Sequence, residues 1–465
     1  ANDGWTFRFA SQVKALLAGG GVSRDPEPAG LVGFHLYGSV PEPFSLYREI
    51  RSLPAGHTQW IDAAGPREAK CFANLAAILA DAAAQPSIPQ AESAALVRQV
   101  VLDSVKAHLL ADVEVGAFLS AGVDSGALLG LMRDAGQSEI RAITLAFEEF
   151  QNTSEDEAPL AARVAERYGA HHIVRYVGER EFRQDLPAIL ESMDQPSIDG
   201  VNTWFVSKAS REAGLKVAIS GLGGDELFAG YPSFVELPRW RRFGRFTAGL
   251  GIGRLARTLI RAALPSLTSA RPKATAFFEY AGSWAGAYLL RRGLFLPHEL
   301  SEMMDADVAR EGLHRLDPLG RLAKSLVPDP GSNVARICAL ESSHYMRNQL
   351  LRDADWAGMA HSLEIRVPLV DASLLRSLAP VIAGMVPGAG KEALAMSPSL
   401  PLPDEIIRRA KTGFGVPTGA WMRAAAGETQ SSAGNSTQSK GLVSRRWLRL
   451  VLARLEVKPQ AALAP

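Results

Sequence analysis

With 465 residues, 47% of them hydrophobic and 21% charged, the chain has the composition of a globular protein long enough for two or three domains. Its 50 basic and 49 acidic side chains leave a net charge of +1, so nothing in the charge balance supports a nucleic-acid or acidic-surface partner. No apolar run approaches the roughly 18 residues of a membrane span, the first residues carry no signal-peptide core, and Cys71 and Cys338 lack metal or redox spacing, which suits a cytoplasmic protein.

Residues 1–72 read as short strand-like pieces, TFRFAS, LVGFHLYG and VPEPFSLYREIRSLPAGHTQWID, with helical spacing only at 12–17. Pro41, Pro43, Pro54 and Gly56 punctuate them, and a β-rich or α+β unit is expected. Residues 73–95 are Ala-rich with Pro86 and Pro89 and read as a linker or an inter-domain helix and turn.

At about residue 96 the rhythm changes. An amphipathic helix at 96–110 precedes a strand at 115–119, and a second helix follows a tight loop. Strands at 140–147, 171–177 and 216–220 alternate with helices at 155–168, 181–193 and 203–213. Such alternation predicts an α/β fold with a parallel sheet, in which ligands bind beyond the carboxyl ends of the strands. Residues 226–390 become mainly helical, and the basic run RWRRFGR at 239–245 reads as a solvated helix face. Residues 427–440, GETQSSAGNSTQSK, form a polar low-complexity stretch before a helical segment at 441–465.

Two strand-end loops carry the chemistry. In VGAFLSAGVDSGALLGLM, at 115–132, a strand enters a small-residue loop, Ser120 to Ser125, at the start of a helix. Backbone N–H groups and the helix dipole converge there on an anion, and Asp124 suits a magnesium ion bridging phosphates. The loop lacks the lysine and spacing of a Walker A sequence. The second loop, SGLGGDELFAGY at 220–231, runs a strand into glycines that admit a nucleotide closely, and Asp225 supplies another carboxylate.

These stretches, with SEDEAPLAARVAERYGAHH at 154–172, DQPSIDGVNT at 194–203, LRDADWAGMAHSLEIRVPLVD at 351–371 and LPDEIIRRAKTGFGVPTGAW at 402–421, resemble the synthetase half of the class B asparagine synthetase family, within the PP-loop ATP-pyrophosphatases. The resemblance implies a PP-loop synthetase domain at 96–426 with a helical C-terminal part. It is preceded at 1–72 by the tail of an Ntn-type glutaminase domain, matched by FASQVKALLA and IRSLPAGH. That domain uses an N-terminal cysteine; residue 1 here is Ala1, so this chain is not expected to hydrolyse glutamine.

The implied reaction adenylates a carboxylic acid, aspartate first of all, with ATP and Mg2+. Ammonia, free or derived from glutamine, then displaces AMP. Carried over by position, Ser120, Gly122 and Ser125 hold the pyrophosphate, and Asp124 and Asp225 bind Mg2+. Leu119 and Leu145 contact adenosine, while Ser220 and Gly221 sit beside the ribose and α-phosphate. Lys411 stabilises the adenylate, and Glu364 lines the acceptor side, with Arg366 its nearest partner in an equally plain structural ion pair. Glu157 is read as a helix cap or a ligand. The resemblance also leaves room for a homodimer. Three departures stand out: Ala121 for a glycine, Gly126 for a serine, and Leu222 where an acid is usual in the family. Leu222 keeps open another carboxylate as acceptor, and a non-catalytic paralogue is the remaining alternative.

Overall fold

Five parallel strands frame the fold: β5 (Val115–Phe118), β6 (Arg141–Phe147), β7 (His171–Val177), β8 (Val217–Ile219) and β9 (Glu364–Arg366), in the order β7-β6-β5-β8-β9. The structure is a computed structural model and describes residues 1, 5–86, 88–248, 258, 272–409, 415–425 and 437–454. β5, β6 and β8 are apolar on both faces because helices cover the sheet on both sides, which removes the alternation of a half-exposed strand. The expected α/β fold with a parallel sheet is therefore present. The small residues of β5 allow close neighbours: a Cβ on Gly116 would lie 2.3 Å from Leu215.

Chain direction places the site. From β5 the chain crosses through the helix Val123–Asp134 to β6 and through Ala158–Arg167 to β7, moving outward on one side. It then returns through Glu179–Ser192 and Val201–Glu212 to pair β8 with β5 on the other side. The loops after β5 and β8 thus flank the point where strand order reverses, where a crevice opens at the carboxyl edge of such a sheet.

β9, only three residues long, was not expected from the sequence; it closes the edge by pairing Val217 with Glu364 and Ile219 with Arg366. Between β8 and β9 the described residues are mainly helical, as expected. One core joins the Val123–Asp134 helix to this helical half through Leu128, Tyr288, Ile337 and Leu378.

Two expectations for the N-terminal region change. LVGFHLYG is not a strand but most of the helix Pro28–Tyr37, residues 28–36 of which are all buried. A proline in its first turn and the Glu27 carboxylate accepting from Ala29 N start it; burial on every side erases the amphipathic period that marks a surface helix. It packs on the helix Ala306–Leu316, and Arg315 clasps Glu27 at 2.9 and 2.7 Å. Among the described residues of this region the named strands are two-residue ladders, β1 (His57–Thr58) with β4 (Lys70–Cys71) and β2 (Ile61–Asp62) with β3 (Gly65–Pro66), beside isolated bridges at Pro26–Tyr47 and Ser39–Ser197.

Within the stretch 73–95 the helical alternative is what forms. Asn74 caps the helix Leu75–Ala83, which buries Ala76, Leu79 and Ala82 against the helical half. The polar stretch 427–440 lies outside the described residues except for its last four, which open the helix Thr437–Arg454. That helix docks through Trp447, whose Nε1 donates to Ser197 O at 3.1 Å, and Trp421 before it stacks on Phe182 at 4.8 Å.

Candidate functional site

The loop after β5 is held by its own hydroxyls. Ser120 N donates to Ser125 Oγ at 3.1 Å, the two hydroxyls lie 3.0 Å apart, and Gly122 N donates to Ser120 Oγ at 3.2 Å. This folds Ser120, Gly122 and Ser125 into a tight turn at the N-terminus of the helix Val123–Asp134, with Gly122 at its cap position. The departures fit locally: Ala121 is buried, and the space above Gly126 is taken by Leu402, 2.9 Å from where a Cβ would stand. Asp124, in the first turn, turns its carboxylate toward the second loop.

The loop after β8 comes so close that side chains do not fit. A Cβ on Gly221 would stand 2.9 Å from Asp124 Cβ, and one on Gly224 would stand 2.4 Å from Asp124 Oδ1. Asp225, at the start of the short helix Gly224–Leu227, therefore lies beside Asp124. Between them reaches Lys391, from the helix Ala389–Ala395, whose Nζ contacts Asp124 Oδ1 and lies 2.8 Å from Asp225 Oδ1. All three side chains are about one-fifth exposed or less. Lys391 was missed in the sequence: it lies 166 positions after Asp225, in a short segment, GAGKEALA, with no motif of its own. Its one local signal is a lysine following two glycines at a helix start.

Gly230 closes the cradle. A Cβ there would stand 2.0 Å from Asp225 Oδ1 and 2.3 Å from Lys391 Cε. The lysine end can swing aside, but the short aspartate is held by its backbone, whose carbonyl accepts from Gly230 N at 2.9 Å. Gly230→Ala is thus expected to push the Asp225 carboxylate away from Lys391, with the melting temperature changing by only a few degrees. A crystal structure of the variant beside a thermal melt checks it.

The other expected residues are placed as follows. Leu119, 3% exposed, directly follows β5, and its carbonyl accepts from Thr144 Oγ1 at 2.9 Å. Leu145, also buried, lies two positions past Ile143, the partner of the last β5 residue. Ser220 is anchored by its N–H to Arg366 O at 2.8 Å, and its hydroxyl accepts from Leu222 N at 3.4 Å. Glu157 pairs with Arg409 at 3.1 Å, two positions before Lys411; Lys411 itself lies outside the described residues.

The structure does not bring Glu364 into this cluster. It opens β9 level with the first residue of β8, at the amino edge of the sheet, and pairs with Arg366 at 2.7 Å with 59% of its side chain exposed. Arg366 also donates to His108 O and Leu110 O, below the sheet. Of the two readings given for Glu364, the structural ion pair with Arg366 is the one present in the geometry.

Behind the second loop lies a buried polar network. Glu341 accepts from Ser233 Oγ at 2.6 Å, Tyr288 OH at 3.1 Å and Arg292 Nε at 2.9 Å, while Arg292 stacks over Tyr345 at 3.9 Å and Tyr231 at 4.6 Å. Tyr231 OH donates to Glu226 at 2.9 Å, so the network braces the residue next to Asp225. Burial, reinforced by the Glu341 charge, pushes the Glu226 carboxyl up to about 7. The folded state holds this proton more tightly than the unfolded chain does. Its contribution is therefore complete below the ordinary value of 4.5 and is lost as the pH rises to about 7, a swing on the order of 3 kcal/mol. Melting temperatures of Glu226→Gln between pH 5 and 7 should accordingly fall less steeply than those of the parent.

A second buried acid pair ties two of the quoted motifs together. Asp353 accepts from Trp356 Nε1 at 2.8 Å and Ser197 Oγ at 3.0 Å, and Asp199 accepts from Gly200 N at 2.9 Å. Burial raises both carboxyls, and the Asp199 charge raises Asp353 further.

The donor set at Asp124 and Asp225 fits Mg2+. Two carboxylates converge on one cationic group in a cradle narrowed by Gly224 and Gly230. Among the described residues no third His, Cys, Asp or Glu joins them. Mg2+ commonly takes one or two carboxylates and completes its octahedron with water and substrate phosphates, so a two-carboxylate site suits it when the phosphates are a substrate's.

Comparison with known proteins agrees with this architecture. Residues 96–461 match the asparagine synthase family. A Mycobacterium tuberculosis protein provisionally named glutamine-hydrolysing asparagine synthetase is 31% identical over 412 residues, covering 83% of this chain and 57% of that protein. Glutamine-hydrolysing asparagine synthetase 1 of Bacillus subtilis is 27% identical over 445 residues, covering 89% of this chain and 63% of its own length. The amidase chyE of Penicillium rubens is 31% identical over 153 residues, 30% of this chain and 22% of that enzyme. The chain thus spans about three-fifths of the length of the two synthetases it matches over most of its own length.

Proposed function

The chain belongs to the asparagine synthase family, and from that membership we propose that it is an ATP-dependent amide-forming ligase that adenylates aspartate at its β-carboxylate and transfers the acyl group to ammonia. The observation that carries the reading is the convergence of Asp124 and Asp225, from loops on either side of the strand-order reversal, on the Lys391 ammonium.

In the first step a carboxylate oxygen of the acceptor attacks the α-phosphorus of ATP. The bond to the bridging oxygen breaks and pyrophosphate leaves. Ammonia then attacks the acyl carbon of the mixed anhydride, losing a proton as AMP departs. The loop of Ser120, Gly122 and Ser125 binds the departing pyrophosphate through its N–H and hydroxyl groups at the helix start. Asp124 and Asp225 would hold Mg2+, which when bound neutralises charge on the phosphates. Lys391, held between the two carboxylates, lies within reach of the same phosphates as a positive charge on a flexible stem. Leu119 and Leu145 bound the nucleoside side, with Ser220 and Gly221 by the α-phosphate. Lys411, two positions beyond the Glu157–Arg409 pair, is the proposed clamp on the adenylate. These contributions are positioning and charge stabilisation, the main sources of rate in such chemistry.

One residue favours a second reading of the acceptor. Leu222, half-buried between Ser220 and Gly223, offers neither charge nor hydrogen bond where the family usually has an acid. The same activation chemistry on a different carboxylate is the alternative it supports. ATP–pyrophosphate exchange across a panel of carboxylic acids tests both. Exchange with aspartate is the expected result, and exchange with another acid alone would replace the acceptor while keeping the chemistry. Absence of exchange with every acid would overturn the adenylation reading.

A further inference from the structure

The basic run 239–245 does more than face solvent. Pro238, Arg241, Arg242 and Arg245 lie at i, i+3, i+4 and i+7 of the helix Ser233–Ala248 and therefore share one face. That face forms one wall of a cavity of about 550 Å³ whose other lining includes Trp284 and Asn333. This volume lies within the range of small-molecule sites. The cavity is in the helical half of the fold, and none of its lining residues belongs to the Asp124–Asp225–Lys391 cluster.

Its polar groups are prepared for an anion. Trp284 is only 8% exposed, yet its Nε1–H has no hydrogen-bond partner among the described residues, and neither does the buried Nε of Arg241. A native interior seldom leaves such donors unsatisfied, so each one calls for an explanation. The Arg241 guanidinium lies over the Trp284 ring at 4.7 Å, and Arg336 approaches the same ring at 5.7 Å. Asp329, whose charge acts on Arg241, is taken up by Arg336 through two hydrogen bonds of 2.7 and 2.8 Å. No carboxylate lies within ion-pair distance of Arg241, Arg242 or Arg245 among the described residues. Burial, followed by the Arg245 and Arg336 charges, loosens the hold of Arg241 on its proton, the sign of a cation placed among cations.

We propose that this cavity is a binding site for a phosphate group carried by a small molecule, distinct from the nucleotide site. Guanidinium forks match phosphate oxygens in pairs, the indole N–H adds a neutral donor, and the Trp284 and Pro238 surfaces receive the apolar part of a phosphate ester. Inorganic phosphate and pyrophosphate share the anionic chemistry but not the organic portion, so the three probes separate the sources.

The test is isothermal titration of the full chain with inorganic phosphate, pyrophosphate and glucose 6-phosphate. Mg2+ and an ATP analogue with a methylene α,β-bridge fill the nucleotide site beforehand. Binding of at least one probe is expected, weakening as NaCl rises and by at least about tenfold in Arg241→Gln/Arg245→Gln, given the loss of two charge-assisted contacts. ATP–pyrophosphate exchange should be unchanged in that variant. Equal binding by the double variant and the parent, or probe binding no tighter than chloride, would overturn the site. Should the double variant fail to fold, Trp284→Phe decides, since it keeps an aromatic face for Arg241 while removing the indole N–H with its pyrrole ring. Weaker phosphate binding by Trp284→Phe sustains the proposal and unchanged binding overturns it.

Discussion

Replacing Asp124 with asparagine is expected to reduce ATP-dependent pyrophosphate release by about a thousandfold, the upper end of what one electrostatic group contributes at a reacting phosphate. The argument rests on charge rather than shape. Asparagine keeps the volume above Gly224, where a Cβ would come within 2.4 Å of the carboxylate, so the two loops stay in register. Lys391 keeps Asp225 as a partner at 2.8 Å, so no buried cation is orphaned. The stability change should therefore stay within about 1 kcal/mol, well short of the 3–5 kcal/mol of a buried pair broken outright. A steady-state pyrophosphate assay with a denaturant titration separates the two effects. An active Asp124→Asn enzyme would refute the assignment of Asp124 to the phosphate-bound cation.

Much of this arrangement was legible in the sequence because it depends on local pattern. β6, the longest strand with β7, is a run of apolar residues between turn signals, and its bounds came out within one residue. The loops after β5 and β8 were readable because small residues, glycines and an acid follow each strand directly. What escaped depends on tertiary context. The helix Pro28–Tyr37 is buried on all sides and so shows no periodicity. β9 is three residues long and follows Ser362, which adopts φ of +54°; nothing so short stands out from a loop. Glu364 sits in a stretch that resembles the family closely, yet likeness does not say to which edge of the sheet a strand residue belongs. Only the pairing of Glu364 with Val217 does. Lys391 illustrates the same limit from the other side, because its role comes from a contact made across 166 positions of chain.

That contact sets up the other large effect. Lys391→Met should lower pyrophosphate release by several hundredfold, because a mobile cation leaves the phosphates' surroundings and methionine replaces only its aliphatic stem. Here stability should respond as well. Without the ammonium, Asp124 and Asp225 face each other as like charges in a site that is one-fifth exposed or less, a loss on the order of 3 kcal/mol. A divalent cation can then take the place that Lys391 held. Mg2+ alone, without nucleotide, should therefore raise the melting temperature of Lys391→Met more than that of the parent, in which lysine and metal compete for the same oxygens. Stabilisation by a ligand grows as RT ln(1 + [L]/Kd), so a tenfold tighter apparent Kd adds about 1.4 kcal/mol at saturating Mg2+. Thermal melts across a Mg2+ titration read this directly. If the Mg2+ shift is the same in both proteins, Lys391 does not occupy the cation's place. Its contact with the two aspartates would then be a fixed structural pair rather than the resting state of a movable charge.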